Sequence, residues 1–160
     1  MSQANDYRIE KDRLPVVLVT TGGERLAGEL FVQTHARYRS GPEEAPDLMN
    51  DDEPFFPFAV AGGDTLLIAK DHVREVEVPH GHGSMPEEDD GVSGLRRALI
   101  ELTLSDGSIA AGAVYLEVQV NRPRLLDFLN RYDRRFVTLY ANGAARLVNR
   151  RLIERVRPLD

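Results

Sequence analysis

Seven arginines are the side chains in this sequence best suited to hold a charged ligand: Arg122, Arg124, Arg131, Arg134, Arg135, Arg150 and Arg151. Three of them, Arg131, Arg134 and Arg135, surround Tyr132. A guanidinium beside an aromatic ring can hold a phosphate while the ring stacks on a base. The same groups can instead pair with carboxylates of this chain, or meet a partner protein. The charge balance bears on the choice. The chain carries a net charge of −6, made of −11 up to Gly94 and +5 from Leu95 onward. The basic part contains 12 Arg and no Lys. An acidic part joined to a basic part suggests that the two meet, or that the basic part has an anionic partner. The overall acidity disfavours nucleic acid as that partner.

Two Asp/Asn pairs form a second constellation. Asp47 and Asn50 have the same spacing as Asp127 and Asn130. As ligand-facing groups they would supply one carboxylate and one amide. As structural groups, the Asp would cap a helical turn and the Asn would close it. The charges around the two pairs differ, which favours the structural role. His72, His80 and His82 lie close in sequence, but His80 and His82 fall in a Gly-flanked linker, without fixed geometry for a metal. The chain has no Cys, which removes thiolate ligands, disulfides and a thiol nucleophile. No serine-hydrolase elbow, phosphate loop or zinc-protease helix motif occurs. The reading is therefore of a protein that is not an enzyme, with no cofactor and no metal.

The elements that position these residues occur twice. Leu18, Gly23 and Gly28 match Leu102, Gly107 and Gly112 at an offset of 84. Asp47, Asn50, Phe56, Ala61, Gly63, Leu67 and Val76 match Asp127, Asn130, Phe136, Ala141, Gly143, Leu147 and Val156 at an offset of 80. Each unit has the pattern of β-structure. Ile100, Leu102 and Leu104 alternate with Glu101 and Thr103, the period of a half-buried strand. Asp106-Gly107 and Asn142-Gly143 read as hairpin turns, because glycine accepts the positive φ such turns need. Gly112 interrupts a strand and predicts a bend or bulge. Residues 124–130 break the alternation and suit a single helical turn. Five short strands are expected per unit, the first unit ending in Phe55–Val60, Thr65–Ala69 and Val73–Val78.

The division that follows is a loose tail at 1–12, a first unit at 13–79, an acidic Gly/Pro-rich linker at 80–96 and a second unit at 97–160. The strand, the glycine-containing turn, Gly28 or Gly112, the segment 47–50 or 124–130, and the Phe-led strand resemble the Sm-like and SH3-like small barrels. They resemble in particular an uncharacterised bacterial family of such domains. That resemblance implies an all-β fold of two tandem five-stranded Sm-like or SH3-like barrels, related by internal duplication, with short helical turns. The Arg-Gly with which Sm proteins hold RNA bases is absent: Lys70-Asp71 and Arg150-Arg151 stand in that region.

The functional expectation is a non-catalytic interaction or assembly module of the bacterial cytoplasm. Its partner would be an unidentified protein or a second copy of itself. The alternative is an RNA- or nucleotide-binding regulator that uses the Arg-rich second unit. The start is polar and no apolar run approaches the roughly 20 residues that span a bilayer, so neither a membrane nor a secretory route is expected. The two units are expected to pack with arginines 122–135 near the 42–53 loop. A two-fold-like arrangement would bring Phe31 and Tyr115 together.

Overall fold

The computed structural model describes residues 11–36, 41–79, 95–117 and 124–159. Of the expected linker at 80–96, residues 80–94, His80 and His82 among them, lie outside the described residues. The first part of the chain forms β1 (Lys11–Thr20), β2 (Arg25–Gln33), α1 (Ala45–Met49), β3 (Phe55–Val60), β4 (Thr65–Ala69) and β5 (Val73–Val78). The second forms β6 (Leu95–Leu104), β7 (Ile109–Glu117), α2 (Leu125–Arg131), β8 (Phe136–Ala141), β9 (Ala144–Asn149) and β10 (Ile153–Pro158). A 3-10 turn, Lys70–His72 or Arg150–Leu152, precedes the last strand of each part. No helix among the described residues is long and apolar enough to cross a membrane.

All ten strands belong to one antiparallel sheet, in the order β10-β6-β7-β8-β9-β5-β1-β2-β3-β4. Each half repeats one pattern: its fifth strand, then its first, second, third and fourth. The halves join where β9 pairs with β5. Among the described residues the end strands β10 and β4 do not pair with each other, so the sheet is not closed. Such a joint continues the sheet head to tail. The expected two-fold-like contact of Phe31 with Tyr115 does not form: Arg13 stacks over Phe31 at 5.0 Å, and Tyr115 meets Tyr140 edge-on at 5.6 Å.

β1 and β6 begin at Lys11 and Leu95, two residues earlier than the unit boundaries read from the sequence. Pro15 is tolerated inside β1 because it pairs only with β2 there. β5 joins β1 from Val17 onward, so no partner asks Pro15 for an N–H. The Asn142-Gly143 turn has φ of 53° and 78°, as a two-residue hairpin with β8 and β9 requires.

Gly28 and Gly112 act through space rather than through φ. A Cβ on Gly28 would lie 2.2 Å from the Ala59 carbonyl oxygen and 2.7 Å from the Phe58 ring. On Gly112 it would meet Leu139 Cβ at 2.9 Å and the Tyr140 carbonyl oxygen at 3.1 Å. Both glycines let the third strand of a half cross close to the second.

The pairing also refines the correspondence of the halves. Phe55 pairs with Ala69, and Phe136 with Asn149. Gly28 pairs with Val60, while Ala113 pairs with Tyr140. Hence β3 matches β8 at an offset of 81, whereas β4 matches β9 at 80. The counterpart of Phe136 is Phe55, not Phe56 as the linear match suggested. The β3–β4 loop is one residue longer, and that residue shifts the offset.

Two apolar clusters lie along the sheet. The first holds Leu18, Leu30, Phe56, Phe58, Val73 and Val76, and also takes Phe136, Ala145 and Leu147 from the second half. The second holds Ile100, Leu102, Leu104, Val137, Leu139 and Val148 among others. The β8–β9 hairpin therefore puts one face into each core.

Substituting Gly28 with Ala should lower the unfolding free energy by about 1–3 kcal/mol, the range for an overpacked core. Gly112→Ala should cost less, since its closest approach is 2.9 Å rather than 2.2 Å. Urea unfolding of both variants checks this; equal, negligible effects would contradict the close-approach account.

Candidate functional site

The joint between the halves is where most of the singled-out polar residues converge. Val76 pairs with Leu147, Glu77 with Arg146 and Val78 with Ala145. Two amide side chains fasten backbone across this seam. Asn50 Oδ1 accepts from the Phe136 N–H at 2.9 Å, and Asn149 Nδ2 donates to the Val73 carbonyl at 2.9 Å. Asn50 thus ends α1 and also reaches the other half, a role beyond the capping expected of it. Asp47 does cap: its Oδ2 accepts from the Glu44 N–H at 2.8 Å, within a capping box at the start of α1. Asp127 and Asn130 hold the corresponding places on α2 and are exposed.

Glu75 is the charged centre of the seam, with 2% of its surface exposed. Arg146 donates to its Oε2 at 2.8 and 2.5 Å, and Arg74 donates to its Oε1 at 3.1 Å. Arg74 also reaches Asp106 of the second half at 3.0 Å. Asp106 accepts from the Ser108 hydroxyl and backbone N–H as well. These bonds, with the lesser help of Arg74, hold its carboxyl down at about 2. Such a group stabilises the fold above the unfolded-state value near 4, and that contribution is lost as pH falls towards about 2.

The arginines divide. Arg134, Arg135, Arg150 and Arg151 line one open cleft of about 370 Å³ with Lys70, Asp71 and Asp133. Arg135 pairs there with Asp71 at 3.0 Å, and Arg150 Nε donates to the Tyr132 carbonyl at 2.8 Å. Arg134 also borders a second cleft, of about 640 Å³, whose lining includes Glu43, Asp51, Asp52, Glu53 and Phe55. The expected approach of this arginine group to the 42–53 loop is thus made by Arg134. Arg124 precedes α2 and Arg131 ends it, both exposed and outside these clefts. Arg122 lies outside the described residues. His72 is exposed on its 3-10 turn.

Sequence reasoning missed Arg146, Glu75 and Lys70. Lys70 is fully buried, its Nζ donating to the Leu48 carbonyl at 2.8 Å and to Asp51 Oδ1 at 2.6 Å. It ties α1 to the end of β4. The alternation of Ala145, Leu147 and Asn149 around Arg146 was a usable signal for a strand with two different faces. Lys70 gave no such signal, since its partners lie 19 and 22 residues away.

The open edge has another character. Phe55 is 58% exposed, Leu66 41% and Leu67 76%. All three lie on β3 and β4, at the end of the sheet. Tyr132 and Tyr140, in contrast, are half-buried. The Tyr132 hydroxyl donates to the Phe136 carbonyl. Burial pushes both phenols up to about 12. Comparison of the chain with family models, curated proteins and solved structures finds no match.

Glu75→Gln should cost about 1.5–3 kcal/mol in urea unfolding, the range for hydrogen bonds between charged groups, because Arg146 loses its counter-charge while Arg74 keeps Asp106. Arg135→Ala should cost at most about 1 kcal/mol, since that pair is partly solvated. Comparable losses in the two variants would contradict the ranking. Absorbance titration at alkaline pH should show two of the five tyrosines ionising only near pH 12. Uniform ionisation near pH 10 in the folded protein would refute the buried setting of Tyr132 and Tyr140.

Proposed function

We propose that this chain is a non-catalytic interaction or assembly module of the bacterial cytoplasm, built from two duplicated Sm-like or SH3-like small barrels. The barrel reading draws support from the repeated strand order, from Gly28 and Gly112 at matching close crossings, and from the 3-10 turn before the last strand of each half. The interaction reading is carried by one observation: at the end of the sheet, where β4 pairs with β3 alone among the described residues, Phe55 of β3 and Leu66 and Leu67 of β4 are exposed to solvent. A sheet-end strand with one strand partner and exposed apolar side chains is a template for another chain.

A second reading, an RNA- or nucleotide-binding regulator, draws on the four arginines gathered in the smaller cleft. Asp71 and Asp133 share that cleft, and Arg135 and Arg150 are already engaged. Both features weaken its pull on an anion.

Light scattering on a sizing column, with pull-down by the immobilised chain, distinguishes the readings. The interaction module should self-associate or retain a protein, and Leu67→Asp should weaken that binding at least tenfold. A strict monomer that retains no protein would contradict it. RNA binding that falls steeply with salt would favour the second reading.

A further inference from the structure

We propose that the α2 end of the second half docks on an anionic lipid surface, with Leu126 entering the headgroup region and the unpaired arginines around it meeting the lipid charges. Such docking goes beyond the interaction reading and does not depend on it. Among the described residues no helix is long and apolar enough to cross a membrane, so the contact is superficial.

Two copies of one element have diverged. α1 buries Ala45 and Met49. Their counterparts on α2, at the offset of 80, are Leu125 and Leu129, and α2 buries no residue. The larger apolar side chains thus stand on the less covered helix. Leu126, in the place of Pro46, is 62% exposed. A lone exposed leucine needs no explanation, but its surroundings give it one. Glu44 and Asp51, which flank α1, are replaced by Arg124 and Arg131 around α2. Apolar residues bordered by arginine are the composition of a helix that lies in a lipid interface.

Further arginines gather at the same end. Lys11, where β1 begins, lines one cleft with Pro46 of α1. The repeat puts the start of β6, with Arg96 and Arg97, beside α2 in the same way. Arg96, Arg97, Arg124 and Arg131 are exposed, and among the described residues none has an ion-pair partner. Elsewhere in the second half Arg135, Arg146, Arg155 and Arg157 are paired. Asp127 on α2 and Asp133 after it are exposed carboxylates that offset part of this charge.

The charge of the whole chain orients the docking. The part up to Gly94 carries −11 and the part from Leu95 carries +5. A negative surface therefore attracts the second half and repels the first. Leu126 decides between lipid and nucleic acid. Bases stack on exposed rings, but Phe128 and Tyr132 pack against each other with ring centroids 5.3 Å apart, and both are half-buried. What α2 exposes is an aliphatic side chain, which gains from leaving water for lipid.

The chain has no Trp, so a single introduced tryptophan reports its own surroundings. Leu126→Trp is titrated with vesicles of phosphatidylcholine alone, and of phosphatidylcholine with an equal part of phosphatidylglycerol. Its emission should shift to the blue with the anionic vesicles only, and Leu67→Trp, on β4, should not shift. Co-sedimentation of the unaltered chain with the anionic vesicles should fall as salt is raised. Replacing both Arg124 and Arg131 by Gln should lower the partition coefficient about 25-fold, at about fivefold for each arginine near an anionic surface, with an unchanged far-ultraviolet circular dichroism spectrum. Equal binding to both kinds of vesicle, no co-sedimentation even at low salt, or a shift of Leu67→Trp in place of Leu126→Trp would overturn the proposal. RNA binding by a chain whose Leu126→Trp form ignores vesicles would assign the arginines to nucleic acid. A protein retained through Leu126 without vesicle binding would assign α2 to that protein. Both outcomes defeat lipid docking and leave the reading of the β4 edge standing.

Discussion

The fold depends on a hairpin that serves two cores. β8 and β9 pair within the second half, yet Phe136, Ala145 and Leu147 lie in the first core, while Val137, Leu139 and Val148 lie in the second. Successive residues of a strand point to opposite faces. A hairpin placed between two apolar layers can thus fill both, provided that its turn holds the register. Asn142-Gly143 supplies that turn with two positive φ values. Each half is small for an independent core, and sharing the hairpin lets both bury more apolar surface than either would alone.

Polar groups then fix where the halves meet. A slip would leave Glu75 between Arg74 and Arg146, and Asn149 on the Val73 carbonyl, unsatisfied. A slip by one residue would also reverse every side chain on the strand. Lys70 extends this logic to α1, which it holds against the end of β4 through Leu48 and Asp51. The helix is then placed so that Asn50 reaches Phe136.

Much of this was legible locally. β3, β4 and β5 have the bounds that alternation and turn chemistry indicated, and the break at 124–130 falls at α2. The strand starts were less legible. Lys11, Asp12 and Arg13 carry no alternation, and they join β1 only because β2 runs alongside. The shift of offset between β3 and β4 was hidden as well, since one extra loop residue leaves Phe55 and Phe56 equally plausible partners for Phe136. The arginine cleft was half legible: Arg134, Arg135, Arg150 and Arg151 meet, but the strongest pairing at the seam falls to Arg146. Glu75 and Arg146 are 71 residues apart. What links them is strand order, which no local pattern encodes.

The central claim is that the shared hairpin makes the two halves one cooperative unit. Differential scanning calorimetry of the intact chain tests it most directly, with Leu147→Ala as the perturbation. The account predicts a single transition whose calorimetric and van't Hoff enthalpies agree per cooperative unit. It also predicts that the whole transition moves down in Leu147→Ala, a change of about 2–5 kcal/mol for a buried leucine. Two resolved transitions, of which Leu147→Ala lowers only one, would contradict it.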